Sequence, residues 1–241
     1  MKLTLGVGNV FTAEKDMVIS PNKFSTARYA CIMVHGVEAA GGAWDWMSAS
    51  QYRWPVVRSL VDACGLYAVS ADMGGSATWG NATLQSRLDA AFAYTQTLPN
   101  VKTGKVILIG QSMGGLSAMN WAKNNKSKVA GVVGVIPVTN LTNAWQTGYT
   151  SAINSAYGGT YSEAAHGASY NPVTYAAALS GIKGQLWVGA SDTLARLADA
   201  NIIAAASPTI MVKQVAGAHA ESTIGNIDLS EMEGFISVNS A

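Results

Sequence analysis

Charge is what this chain has least of. Of its 241 residues only 12% are Asp, Glu, Lys or Arg, about half the share of an ordinary soluble domain. The 15 basic side chains nearly cancel the 14 acidic ones, for a formal net charge of +1. No basic run or acidic tail stands out, which argues against nucleic acid or an anionic membrane surface as a partner. No apolar stretch approaches the roughly twenty residues of a membrane span. The run from Leu3 to Phe11 is interrupted by Gly6, Gly8 and Asn9 and lacks a convincing cleavage site, so the expectation is a chain without a classical export signal, cytoplasmic or carried on a virion. Two cysteines, Cys31 and Cys64, both lie in or beside strand-like runs and read as small buried hydrophobes. A disulfide between them is permitted but not required. The three histidines, at 35, 166 and 219, are scattered without metal-ligand spacing.

What the chain does have is 49% hydrophobic residues, enough for a single continuous core. Short apolar runs alternate with helical patterns, as expected of βαβ units and a mostly parallel sheet. Leu3–Val7 and Asp16–Ile19 read as N-terminal antiparallel edge strands, and Tyr29–Val34 as a central strand. Further strands are predicted at Leu66–Ala71, Val106–Ile109, Val129–Val135, Leu186–Val188 and Ile210–Val215. Helices are predicted at Trp54–Ala63, Leu84–Leu98, from the serine turn to Asn124, and at Leu229–Phe235. Some 45 residues between Val138 and Gln185 carry no strand signal, too long for an ordinary connection. They read as a cap, about 139–183, inserted into one domain spanning 1–241.

The most informative stretch is Val106-Ile107-Leu108-Ile109-Gly110-Gln111-Ser112-Met113-Gly114-Gly115. A β-branched run ends in Gly-x-Ser-x-Gly and continues into a small-residue helical pattern. Strand, sharp turn and helix with serine at the apex expose the hydroxyl at the positive end of a helix. A serine nucleophile needs a base and an acid that orients it. His219, in a small-residue loop after the last strand, is the candidate base, whereas His166 reads as a cap-packing or exposed histidine. Asp192, at the end of the strand in Leu186-Trp187-Val188-Gly189-Ala190-Ser191-Asp192, is the candidate acid, with a helix-capping role as the bland alternative. Glu221 and Asp228 are weaker rivals. The N–H of Met113 and that of Val37, after His35-Gly36, are the expected oxyanion donors. His35 itself reads as ordering its loop, and Glu38 as facing solvent.

Together these residues resemble the α/β-hydrolase superfamily: His35-Gly36, the Gly110-to-Gly115 elbow, Gly189-x-x-Asp192 and Gly217-Ala218-His219. Asp72-Met73-Gly74-Gly75-Ser76 is similar to that family's Asp-x-x-Gly-x-Gly-x-Ser turn, one residue short. The resemblance runs from about residue 28 to 236. It implies an α/β fold with an eight-stranded, mostly parallel sheet flanked by helices, and the triad Ser112, Asp192 and His219. Lipase-type His-Gly-Gly-Gly and the dehalogenase pattern with aspartate as nucleophile are absent. The expected chemistry is ester hydrolysis through an acyl-enzyme intermediate, with no cofactor. Amidase, acyltransferase and peroxidase activities on the same fold are the alternatives, as is a catalytically silent binding or structural module.

Only Glu163 and Lys183 are charged in the Thr139–Gly184 segment, which disfavours anionic substrates. Its aromatics, Trp145 and Tyr149 foremost, are candidates to contact the substrate. The expected substrate is a neutral small-molecule ester or one linked to a glycan or lipid. Low charge also suits an esterase on a phage particle, similar to phage envelope esterases, although the elbow departs from the Gly-Tyr-Ser-Gln-Gly common in those lysins.

Overall fold

The computed structural model describes residues 2–5, 16–21, 26–37, 46 and 51–241. Its strands are β1 (Lys2–Leu5), β2 (Met17–Ser20), β3 (Arg28–Val34), β4 (Ala68–Ser70), β5 (Val101–Gln111), β6 (Val129–Val135), β7 (Gly184–Gly189) and β8 (Ile210–Val215). They lie in the spatial order β1-β2-β4-β3-β5-β6-β7-β8. From β4 to β8 every neighbouring pair is parallel, while β2 runs antiparallel to both β1 and β4. The two N-terminal strands are thus antiparallel as expected, with β1 at the edge.

A parallel sheet needs helices on both faces, so its strands must be apolar on both sides. Alternation along β3 and β5 shows this directly. Ile32, Val34 and Leu108 enter one core, beneath α2 (Ala82–Thr95), α3 (Met113–Asn124) and α7 (Leu197–Ala206). Cys31, Met33, Ile107 and Ile109 enter the other, beneath α1 (Arg53–Arg58), the short α8 (Glu221–Ile224) and α9 (Leu229–Ser240). Both cysteines are buried and free.

Element positions follow the sequence pattern, with differences at the ends. β5 begins at Val101, five residues before its apolar run, because Lys102, Thr103 and Gly104 are exposed and leave no hydrophobic signal. The expected Trp54–Ala63 helix is α1 followed by a wider helical turn over Ser59–Ala63. Asn81 caps α2, its side chain accepting from the Leu84 N–H at 3.1 Å. Asp228 caps α9 in the same way through Glu231 N–H, which removes it from the triad candidates. Among the described residues no helix is long and apolar enough to cross a membrane.

Between β6 and β7 the chain forms α4 (Leu141–Ala144), α5 (Thr150–Ala156), α6 (Glu163–Tyr170) and short helical turns at Trp145–Tyr149 and Ala176–Leu179, with no strand. Its apolar side packs Leu141, Ala144, Ile153 and Tyr161 against Trp79, Met113, Leu116 and Leu194. Its polar hub is Glu163, which accepts from Thr142 Oγ1 (2.6 Å), Tyr161 OH (2.7 Å), Asn171 Nδ2 (2.8 Å) and Thr174 Oγ1. Burial pushes this carboxyl up, but the four donors outweigh burial and hold it below the ordinary glutamate range.

Replacing Glu163 with Ala strands four donors and is expected to cost about 2–4 kcal/mol, read as a lower urea midpoint at pH 7. In the wild type that stabilisation is present above the ordinary glutamate pKa and fades as pH falls through the lowered one. Asp16 behaves oppositely. It is buried, with Oδ1 accepting from Asp72 N–H at 2.9 Å, and burial reinforced by the Asp72 charge raises its pKa to about 6. Between pH 3.8 and about 6 the folded chain keeps a proton that the unfolded chain releases, so stability falls as pH rises through that window. Asp16→Asn is therefore expected to raise Tm at pH 7.5 and to leave it unchanged near pH 3.5; equal shifts at both would refute this account.

Candidate active site

β5 ends where α3 begins, and the residue between them is Ser112. Its backbone lies at φ 52°, ψ −119°, a region costing a residue with a Cβ on the order of 1–3 kcal/mol. Two hydrogen bonds hold it there: Ser112 N–H to Val135 O (3.0 Å) and Val138 N–H to Ser112 O (2.9 Å). The turn closes because its flanks lack side chains. A Cβ on Gly110 would lie 2.2 Å from Gly114 O, and one on Gly114 the same distance from Val34 O. α3 therefore starts against the ends of both β5 and β3.

The loops after β7 and β8 bring in the partners. Ser112 Oγ lies 2.8 Å from His219 Nε2, and His219 Nδ1 lies 2.8 Å from Asp192 Oδ2. The other oxygen of Asp192 accepts from Leu194 N–H (2.9 Å) and Ala195 N–H (2.7 Å). Capping and orienting coexist in one carboxylate, and the capped turn is the one before α7 rather than α7 itself. Ser112 and Asp192 are both buried, while His219 is partly open on the side facing the cavity.

Serine, imidazole and carboxylate in hydrogen-bonded series at the C-terminal ends of β5, β7 and β8 form a unit for moving a proton off a hydroxyl. The model of the alpha/beta hydrolase family matches residues 31–219. The chain belongs to the alpha/beta hydrolase family. The fold is shared with an S-formylglutathione hydrolase from Agrobacterium tumefaciens (13% identity, TM-score 0.73, 94% of this chain and 90% of that one). It is also shared with a fluorophosphonate-binding serine hydrolase from Staphylococcus aureus (15% identity, TM-score 0.70, 93% and 91%). An esterase from Pyrococcus furiosus is similar too, at 16% identity and TM-score 0.66 over 92% and 86% of the two chains. No curated protein matches the chain in sequence.

In this alpha/beta hydrolase a cavity of about 140 Å³ opens beside the serine, lined by Gly36, Val37, Arg53, Gln111, Ser112, Ile136, Tyr149, His219, Ala220 and Glu221. Val37 and Tyr149 thus lie beside Ser112 and His219 on the cavity wall. Gly148, at φ 122°, breaks the helical path just before Tyr149, a conformation suited to glycine. Trp145 is not among the lining residues, contrary to expectation. Its indole N–H donates to Asn154 Oδ1 (2.9 Å) and its ring packs on Tyr161, so it braces the β6–β7 segment. His166 also packs there, stacked on Tyr161 and bonded to Ser162. Buried His35 bonds through Nδ1 to Gly36 O at 2.7 Å, consistent with ordering its loop. Glu38 lies outside the described residues.

Sequence reasoning missed Arg53 and Trp79 and gave Glu221 a different role. Arg53 and Glu221 face each other across the cavity wall, Nε to Oε1 at 3.1 Å, which makes Glu221 an ion-pair partner rather than a triad acid. Trp79 donates its backbone N–H to Met113 Sδ (3.1 Å), accepts from Tyr157 OH through its carbonyl (2.8 Å) and packs on the Tyr149 ring at 4.8 Å. Its contacts join Met113, the first residue of α3, to Tyr149 and Tyr157. Among the described residues no group of three or more His, Cys, Asp or Glu is placed to hold a metal ion.

A Cβ at Gly114 meets backbone rather than a flexible side chain, so Gly114→Ala is expected to cost about 3 kcal/mol or more, checked by chemical denaturation. A variant as stable as the wild type would mean the β3–α3 approach is not tight.

Proposed function

We propose that this protein is a serine esterase that cleaves a neutral carboxylic ester through an acyl-enzyme intermediate. The observation that carries the reading is the unbroken relay from Ser112 Oγ through His219 to Asp192, both links at 2.8 Å. Ser112 Oγ attacks the ester carbonyl as its proton passes to His219 Nε2. Asp192 holds His219 through Nδ1–H and stabilises the imidazolium. The oxyanion is received by the Met113 and Val37 N–H groups, a donor of this kind contributing about 3–4 kcal/mol to the barrier reduction. Met113 opens α3, whose first N–H groups have no intrahelical acceptor, and the helix dipole adds to their effect. Protonated His219 then gives its proton to the alcohol, which leaves. Water, deprotonated by the same imidazole, releases the acid and restores Ser112.

A neutral substrate fits the local charges. Arg53 and Glu221 offset each other at the cavity. Glu163 is engaged by its four donors inside the β6–β7 segment. That segment serves as the cap, presenting Tyr149 to the substrate.

Wild-type protein is expected to be labelled by a fluorophosphonate and to hydrolyse short p-nitrophenyl esters. In Ser112→Ala labelling should vanish and kcat/KM fall by at least about 10³-fold. A folded wild type that is neither labelled nor active would reduce the protein to a binding module. Faster turnover of anilides than of esters would favour an amidase instead.

A further inference from the structure

The loop that carries His219 is hung from its two ends. On the β7 side Ala190 N–H donates to Val215 O and Ser191 N–H to Gly217 O, both at 2.8 Å. On the other side the buried Thr223 donates through Oγ1 to Ala218 O at 2.8 Å, and Asn226 Nδ2 donates to Ala216 O at 2.9 Å. A Cβ on Gly217, at φ 121°, would lie 2.2 Å from Thr223 Oγ1, so the loop lies directly on α8. The imidazole is therefore placed by α8, and α8 has only four residues, Glu221–Ile224. So short a helix does not fix its own position; its neighbours must.

The start of α1 supplies that support. The ring of Tyr52, just before α1, covers Gly225, where a Cβ would lie 3.0 Å from Tyr52 Cδ1. Arg53, the first residue of α1, places Nε 3.1 Å from Oε1 of Glu221, which opens α8 two residues beyond His219. The Arg53 side chain is only 11% exposed and lines the same cavity as Ser112 and His219. Its charge matters as well as its reach. Among the described residues the ionisable groups at His219 are Asp192, bonded to Nδ1, and Arg53, Glu221 and Tyr149 around the cavity. An unbalanced carboxylate at position 221 would favour the protonated imidazole, which cannot take a proton from Ser112. Arg53 offsets that charge.

We propose that Arg53 is a positioning residue for His219. Through Glu221 it clamps the first turn of α8 to α1, which keeps the imidazole at Ser112 Oγ, and it balances the carboxylate beside that imidazole. The inference rests on the esterase reading, in which His219 takes the serine proton. Tyr52 and Thr223 also pack α8, but the ion pair alone couples position to charge. That coupling gives it a pH signature that packing lacks.

Arg53→Met is expected to lower kcat on p-nitrophenyl butyrate, and the rate of fluorophosphonate labelling, about tenfold, with KM changed less than about threefold. The acid limb of its kcat/KM profile should move up by about 0.5 in pH, because Glu221 is left unbalanced. In Glu221→Gln the unbalanced charge is that of Arg53, and the limb should move down. The double variant should return the limb to its wild-type place while kcat stays low. Arg53→Lys, which keeps a cation within reach of Glu221, should recover most of the kcat lost in Arg53→Met. Circular dichroism reports whether each variant is folded; should Arg53→Met unfold, the kcat and the limb of Glu221→Gln decide. A folded Arg53→Met with wild-type kcat overturns the inference alone. So does a loss of kcat with neither limb moved, which would reduce the pair to packing, and so do limbs that move the same way in both single variants. A wild type neither labelled nor active overturns the esterase reading and this inference with it.

Discussion

The backbone of Ser112 is the constraint around which the molecule is arranged. A serine held at φ 52° stores strain that an isolated turn would release. It persists because neighbours on every side fix it: Val135 and Val138 bond its amide and carbonyl, and β3 presses on α3 at Gly114. These contacts exist only if β3, β5 and β6 are adjacent and parallel, with a helix entering immediately after the middle strand. Sheet order, helix placement and missing side chains are thus three expressions of one requirement, that a hydroxyl stand clear of the sheet edge.

Charge is used sparingly, and at the site and at the hub of the β6–β7 segment it is bound. Asp192 orients an imidazole with one oxygen and terminates a turn with the other. Glu163 gathers four donors into the β6–β7 segment. Arg53 and Glu221 neutralise each other at the cavity wall. In a chain with so few ionic groups, these three sites each tie together segments distant in sequence. Surface ion pairs, which contribute little, have a small part in holding the fold.

Much of this was legible in the sequence. The central strands announce themselves because burial on both faces leaves no polar position, as in Tyr29–Val34 and Val129–Val135. The elbow is legible because its glycines are demanded by backbone contact, a local necessity. Asp192 and His219 follow from chain order, each just beyond a strand. What was not legible depends on distance. Arg53 comes from a helix far from Ser112 in sequence and reaches the cavity only through the packing of α1. Trp145 looked like a substrate contact because aromatic content says nothing of direction, and its indole turns inward to Asn154. The polar start of β5 at Lys102–Gly104 gives no signal because it is exposed.

The placement of the triad has a consequence in time. The serine, carboxylate and imidazole of the hydrogen-bonded series stand at residues 112, 192 and 219, on the ends of β5, β7 and β8, and β8 follows β7 at the far side of the sheet. Contacts so distant along the chain close late in folding, after the local ones. A chain still emerging during synthesis presents its serine early, at the sheet's centre, without the imidazole that bonds it in the finished fold. The hydrogen-bonded series is complete only when the last strand docks, so a half-folded molecule holds the serine without its imidazole.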